Sequence, residues 1–109
     1  MAVKVNLGAM VYTVDLLEWV PDRNAVGEDV GTWEVVASVF ASLDPVRGYE
    51  QFRAARTVSE ELVRFVIHYR TDVTPRNRVR YDSGDYDIRE IVNVNDLNRF
   101  LAITAAKVV

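Results

Sequence analysis

Few residues in this chain have types and spacing suited to chemistry. His68 is the single histidine. It falls on the polar side of an alternating run with no serine or cysteine nucleophile suggested nearby, so it reads as a surface or interface histidine. Asp82, Asp85 and Asp87 around Gly84 share the composition of a calcium loop but not its spacing. The twelve-residue calcium loop ends in a bidentate glutamate, and none follows at that offset. Glu60, Glu61 and Glu90 would need a cleft between them to act as an acid–base pair. Nothing places them across one, and the adjacent pair points to opposite faces of a strand. A Gly-rich phosphate loop and a GxSxG elbow are absent. The chain has no cysteine, which excludes disulfides and thiolate metal sites. No catalytic residue, metal ligand or cofactor is therefore assigned, and a hydrolase or metal enzyme lacks a site.

Arg76, Arg78 and Arg80 recur at every second position and form a basic stripe on one strand face. With aromatic neighbours such a stripe can bind nucleic acid. Asp82, Asp85 and Asp87 lie alongside and neutralise much of it. The formal net charge of −3 also opposes the counterion displacement that general nucleic-acid binding requires. An ion-paired structural face or a subunit contact is the better reading, and a small nucleic-acid-binding β-barrel is kept as the alternative.

Composition bounds what can position these residues. At 109 residues a single domain is expected, large enough for one core without staples. No apolar run approaches the ~20 residues that span a bilayer, and Asn6, Asp15 and Glu18 interrupt any signal-peptide core. The sequence thus reads as an intracellular protein with no membrane partner. Two of the 13 basic residues are lysines and the rest arginines, which suit interfacial contacts.

The chain begins with a flexible arm over residues 1–9. Residues 10–19 form a strand with Met10, Tyr12, Val14 and Leu16 on one face. Residues 21–31 form a loop longer than a hairpin needs, whether functional, mobile or a plain surface excursion. In the second strand, residues 33–43, Trp33, Val35, Ala37, Val39, Ala41 and Leu43 share a face. Val36 and Phe40 make the other face partly apolar, as in a strand covered on both sides. Asp44-Pro45 should break this strand and open a short helix over residues 48–56. There Tyr49, Phe52 and Ala55 share a side, flanked by Arg47, Arg53 and Arg56. A helix this short must pack against something. A third strand follows, with Val63, Phe65, Ile67 and Tyr69 inward and Arg64, Val66, His68 and Arg70 mostly solvated.

A hairpin comes next. Ser83-Gly84 reads as its two-residue turn, which sets Val79 opposite Ile88, Arg80 opposite Asp87, Tyr81 opposite Tyr86 and Asp82 opposite Asp85. Both apolar pairs then share one face, and Arg80–Asp87 is an ion pair on the other. Arg78 would face Arg89, a clash that a bulge near Arg89-Glu90 should relieve. Residues 95–98 turn again, and residues 99–107 close the sheet with Leu101, Ile103 and Ala105 inward. The sum is a mainly β fold: a small antiparallel barrel or sandwich of five to six strands, residues 10–109, with one short helix after the second strand.

Several ordered words now add up. They are Trp33-x-x-Val36-Ala37-x-Val39-Phe40-Ala41-x-Leu43-x-Pro45, then Arg47-Gly48-Tyr49-Glu50-x-Phe52-x-Ala54-Ala55, then Phe65-Val66-Ile67-His68-Tyr69-Arg70. Thr74-Pro75-Arg76-x-Arg78-Val79, Tyr86-Asp87-Ile88 and Val92-x-Val94-Asn95 follow, and residues 24–28 also fit. In order and spacing the chain resembles the phage head–tail joining family, also called head-closure or stopper proteins, over about residues 10–107. Arg47 stands where that family often has serine.

The resemblance implies a non-enzymatic structural protein of a tailed-phage (or phage-like particle) neck, assembled in the host cytoplasm. Its members are small β-barrels forming a homo-oligomeric ring, here a dodecamer on the portal–adaptor platform and a monomer when isolated. Partners would be the portal-adaptor protein and a tail terminator or tail-tube protein, with passive contact to DNA in the channel. In some members the segment after the second strand projects into that channel, here residues 44–57 with Arg47, Tyr49, Phe52, Arg53 and Arg56.

Overall fold

The computed structural model describes residues 7–46 and 61–108. Six strands appear among them: β1 (Tyr12–Val20), β2 (Thr32–Pro45), β3 (Leu62–His68), β4 (Arg78–Tyr81), β5 (Gly84–Asn93) and β6 (Phe100–Lys107). They close in the order β1-β2-β3-β6-β5-β4 with antiparallel pairing throughout. The expectation of a barrel or sandwich thus resolves to a closed barrel. One 3-10 turn, Leu7–Ala9, precedes β1, and another, Val94–Asp96, links β5 to β6. The short helix expected over residues 48–56 lies outside the described residues, as does the arm before Leu7.

Alternation builds the core. Val14, Leu16, Phe65, Ile67, Val79, Tyr86, Ile88, Leu101, Ile103 and Ala105 all point into one cluster. Phe65 is fully buried at its centre. Its ring meets Tyr86 at 5.4 Å and Tyr81 at 6.4 Å, both edge-on, and Tyr81 meets Tyr12 at 5.8 Å. Edge-on rings bring the positive edge of one to the negative face of the next, which favours this geometry over a stacked sandwich.

The long strand β2 does two jobs. Residues 32–41 pair with β1, and residues 42–45 pair with β3. On its other side β1 meets β4 only over residues 15–17. Among the described residues the far part of β1 and β2 is therefore a two-stranded ribbon leaving the barrel, and the molecule is 50 Å long against 25 Å across its shortest axis.

Several expectations are corrected here. The strand does not break at Asp44-Pro45: both residues stay in β2, and the Val46 N–H donates to the Leu62 carbonyl at 3.0 Å. Successive N–H groups point to opposite sides of a strand. With Val46 donating toward β3, the ring nitrogen of Pro45 faces the side where β1 pairing has ended, so no bond is lost. Val66 is buried rather than solvated, because Val94, Ala102 and Phe100 cover the outer side of the β3–β6 pair. The first strand starts at Tyr12 and reaches Val20. Its pairing shifts between Leu16 and Leu17, where β2 carries Val36 as an extra residue.

The hairpin register is also corrected. Asp82 and Ser83, not Ser83-Gly84, are the turn residues, with φ of 52° and 62°. Two successive left-handed residues match the twist of the flanking strands, and aspartate tolerates that region. Arg80 therefore lies opposite Asp85 rather than Asp87, Arg78 opposite Asp87, Val79 opposite Tyr86, and Tyr81 opposite Gly84 rather than Tyr86. The in–out pattern survives, because the shift moves each partner by two positions and side chains alternate with period two. The observed register gives each arginine an aspartate and removes the clash of Arg78 with Arg89. The bulge expected near Arg89-Glu90 is present, between Ile88 and Glu90.

Candidate interaction surface

Strand registers place the polar side chains in rows across the outside of the barrel. One row runs Ser38, Asp15, Arg80, Asp85 over β2, β1, β4 and β5. The Ser38 hydroxyl donates to Asp15 at 2.6 Å, and the Arg80 Nε donates to Asp85 at 2.7 Å. The next row runs Val35, Leu17, Arg78, Asp87. The Arg78 Nε donates to Asp87 at 2.8 Å, and its Nη1 also lies 3.7 Å from Asp85. The Arg80 hydrogen bond holds the Asp85 carboxyl below its ordinary range against a smaller opposing effect of burial, with the Arg80 and Arg78 charges adding to it. Arg80 is raised in turn. Two of the three stripe arginines are thus engaged by carboxylates, which speaks against a phosphate-binding face.

Leu17 shows what this face supports. It points outward from the barrel yet has no exposed surface. Arg78 sits opposite it and places its guanidinium 4.4 Å from the centre of the Trp33 ring. A guanidinium over an indole gains electrostatic attraction from the negative ring face. Trp33 in turn meets Trp19 at 5.5 Å, directly across the ribbon. A Cβ at Gly31 would stand 2.5 Å from the Trp19 ring, so a residue without a side chain is needed there. Asn77 ties the neighbouring turn down: its side-chain amide donates to the Leu17 carbonyl at 3.0 Å, and its oxygen accepts from the Thr74 N–H at 2.8 Å. Strand alternation alone does not reveal this stack. The signal was present, since Trp19 and Trp33 stand two residues outside the two ends of the 21–31 loop.

That loop is held by its own bonds. The Asn24 side-chain oxygen accepts from the Val26 and Glu28 N–H groups at 3.0 Å, and the Gly27 N–H donates to the Asn24 carbonyl at 3.0 Å. Val30 N–H donates to the Asp22 carbonyl, and the backbones of Arg23 and Asp29 form an isolated antiparallel bridge. The outer side of β1 and β2 exposes large apolar side chains: Phe40 at 61%, opposite Thr13 in the barrel span, and Val35 at 52%, Val36 at 41% and Trp19 at 45% toward the ribbon. Grouped exposed apolar surface of this kind marks a contact site more often than chance would.

The remaining sequence candidates separate. His68 is exposed and lies against the Phe100 ring at 5.2 Å. Arg80, Tyr81, Tyr86 and Asp87 all belong to the hairpin, the tyrosines packed around Phe65 and the two charged residues outside in different ion pairs, Arg80 with Asp85 and Asp87 with Arg78. Arg47, Tyr49, Phe52, Arg53 and Arg56 lie outside the described residues. Among the described residues no group of three or more potential ligands could hold a metal ion, and no helix is long and apolar enough to cross a membrane.

Comparison with known proteins adds a family. The family model described as phage head completion protein matches residues 5–108. Curated proteins yield no match. The chain is similar in fold to a protein of Shigella flexneri 2a solved in solution, with a TM-score of 0.74, 20% identity, and coverage of 94% of this chain and 96% of that one. It is also similar to a chain in the virion of a native gene transfer agent particle, with a TM-score of 0.61, 22% identity, and coverage of 89% and 94%.

Proposed function

The chain belongs to the phage head completion protein family, and we propose that it is a non-enzymatic ring component of the neck of a tailed phage or phage-like particle. The match over residues 5–108 carries this reading. The ring sits between the portal-adaptor proteins and the tail, helps retain packaged DNA, and offers the tail its docking surface. Three features support it. The outer arginines are neutralised by aspartates, as suits a wall that DNA passes without sticking. Exposed apolar residues on the ribbon need a protein neighbour. No catalytic constellation was found in the sequence. Within this proposal the segment bearing Arg47, Tyr49, Phe52, Arg53 and Arg56 contacts a neighbouring subunit or the channel, with Tyr49 and Phe52 as its apolar anchors.

Electron microscopy of particles made without this gene tests the proposal. The expected result is DNA-free or leaking heads beside separate, complete tails. Normally joined, DNA-filled particles would overturn it.

A further inference from the structure

The strand β2 has two long sides, and only one is used along most of its length. Toward β1 it pairs over residues 32–41. Toward β3 it pairs only over residues 42–45, and beyond Val66 the strand β3 continues along β6 alone. Among the described residues no other strand takes its place, so β2 has an open edge from Ala41 back to Thr32. Alternation fixes which backbone groups face that edge. The Val46 N–H donates to the Leu62 carbonyl, so even-numbered residues in this part of β2 turn their N–H and C=O groups toward β3. The register with β1 is unbroken from Ala41 to Ala37. The same groups of Ser38 and Phe40 therefore point to the open side.

Edges of this kind are ordinarily shielded by lysine, by proline or by an inward-pointing charge. Residues 35–41, Val-Val-Ala-Ser-Val-Phe-Ala, hold none of these and no glycine. Phe40 is exposed on the outer side, and Ala37 and Val39 stay only half-buried on the inner side. A strand laid along the edge would cover both sides at once, since its side chains alternate as those of β2 do. Charge selects that strand. Glu34 lies at the far end of the apolar run, directly opposite Glu18, and both are exposed. Like charges facing each other across a strand pair repel. A cation on the next strand, beside Glu34 in the same row, would offset that repulsion. At the other end Asp44 already faces Arg64. The same edge of a second copy cannot supply the cation, because residues 32–45 contain Glu34 and Asp44 and neither lysine nor arginine.

We infer that the open edge of β2 takes up an extended segment of another protein by strand addition. The segment is uncharged where it runs beside residues 35–41 and carries lysine or arginine beside Glu34. Backbone hydrogen bonds to Ser38 and Phe40 hold it, and the side chains beside Phe40 and Glu34 select it. The inference goes beyond the ring reading and stands without it.

The probe is a capped peptide, Lys-Thr-Val-Thr-Val-Thr-Lys, added at millimolar concentration to the full chain, with amide hydrogen exchange followed by NMR. Exchange at Ser38 and Phe40 should slow at least tenfold, while Val39 and Ala41, whose N–H groups turn toward β1, should not change. A peptide with glutamate at both ends should bind at least tenfold more weakly, and Glu34→Lys should reverse that preference. A fully N-methylated peptide should not bind. The dispersion of the amide spectrum confirms that each protein is folded. Unchanged exchange at Ser38 and Phe40 would overturn the inference, as would equal binding of the lysine and glutamate peptides. So would slow exchange at these two amides before any peptide is added. Dependence on protein concentration would then make the occupant a second copy, and loss of that protection on removing residues 1–6 would make it the chain's own arm. None of these results bears on the neck reading, which the gene deletion tests separately.

Discussion

The barrel and the ribbon are built from the same two strands and behave differently. Where β1 and β2 run through the barrel, Val14, Leu16 and Ala41 are buried against strands from the far side of the core. A few residues further along, Val35 and Val36 of β2 are exposed, and so is Trp19 of β1. Between these two groups the register shifts at one point, the extra residue Val36 in β2. A bulge bends the strand and increases its twist, and here it falls at the base of the ribbon. The comparison teaches that apolar content alone does not define a core. Closure around Phe65 turns apolar residues into stability, whereas the same types beyond the closure remain available for a partner.

The sharpest way to break this comparison is inside the barrel. Phe65→Ala removes the ring that Tyr81 and Tyr86 pack against. It should cost about 4 kcal/mol in urea unfolding, the usual scale for emptying a buried phenylalanine site. A loss near that of a surface substitution would mean that the closed core is not the main source of stability.

Next in size is the outer face that joins the two regions. Arg78→Ala removes the ion pair to Asp87, the contact over Trp33 and the cover on Leu17. A loss of about 1–2 kcal/mol is expected, together with a change in indole fluorescence. Arg78→Lys should recover part of the stability and little of the indole signal, since an ammonium cannot present the same planar fork.

The smallest effect is on acid stability. Asp85 has a folded pKa below its ordinary value of 3.8. Its contribution is therefore fully present above that value and fades as pH falls through the lower folded pKa. Asp85→Asn should be less stable than the parent at neutral pH. The gap should narrow below about pH 4. A gap that widens on acidification would reverse the assigned sign.

Much of the barrel was legible in the sequence because period-two alternation survives most local errors. Val79, Tyr81, Tyr86 and Ile88 were assigned to one face and do share it. Their partners are not legible there, because glycine suggests a turn at Ser83-Gly84, whereas Asp82 and Ser83 adopt the left-handed conformation and leave Gly84 in β5. Pro45 suggests a break because the rule against proline in strands concerns a lost donor, and the side on which that donor would point depends on the neighbouring strands. The outward burial of Leu17 could not be read from β1 at all. It depends on Arg78 and Trp33, which arrive from other strands. The ribbon had the same difficulty: apolar alternation in residues 33–43 looks alike whether a third strand covers it or not.

The most direct measurement compares the two regions in one experiment. Particles lacking the gene are supplied with Phe65→Ala, with the ribbon variant Val35→Thr and Val36→Thr, or with the parent protein. Thermal melting of each purified protein is recorded alongside its incorporation into particles. The ribbon variant should melt within a few degrees of the parent and fail to join heads to tails, while Phe65→Ala should lose stability first. A ribbon variant that enters particles normally, or one that melts as early as Phe65→Ala, would contradict the division between a self-sufficient barrel and a contact-making ribbon.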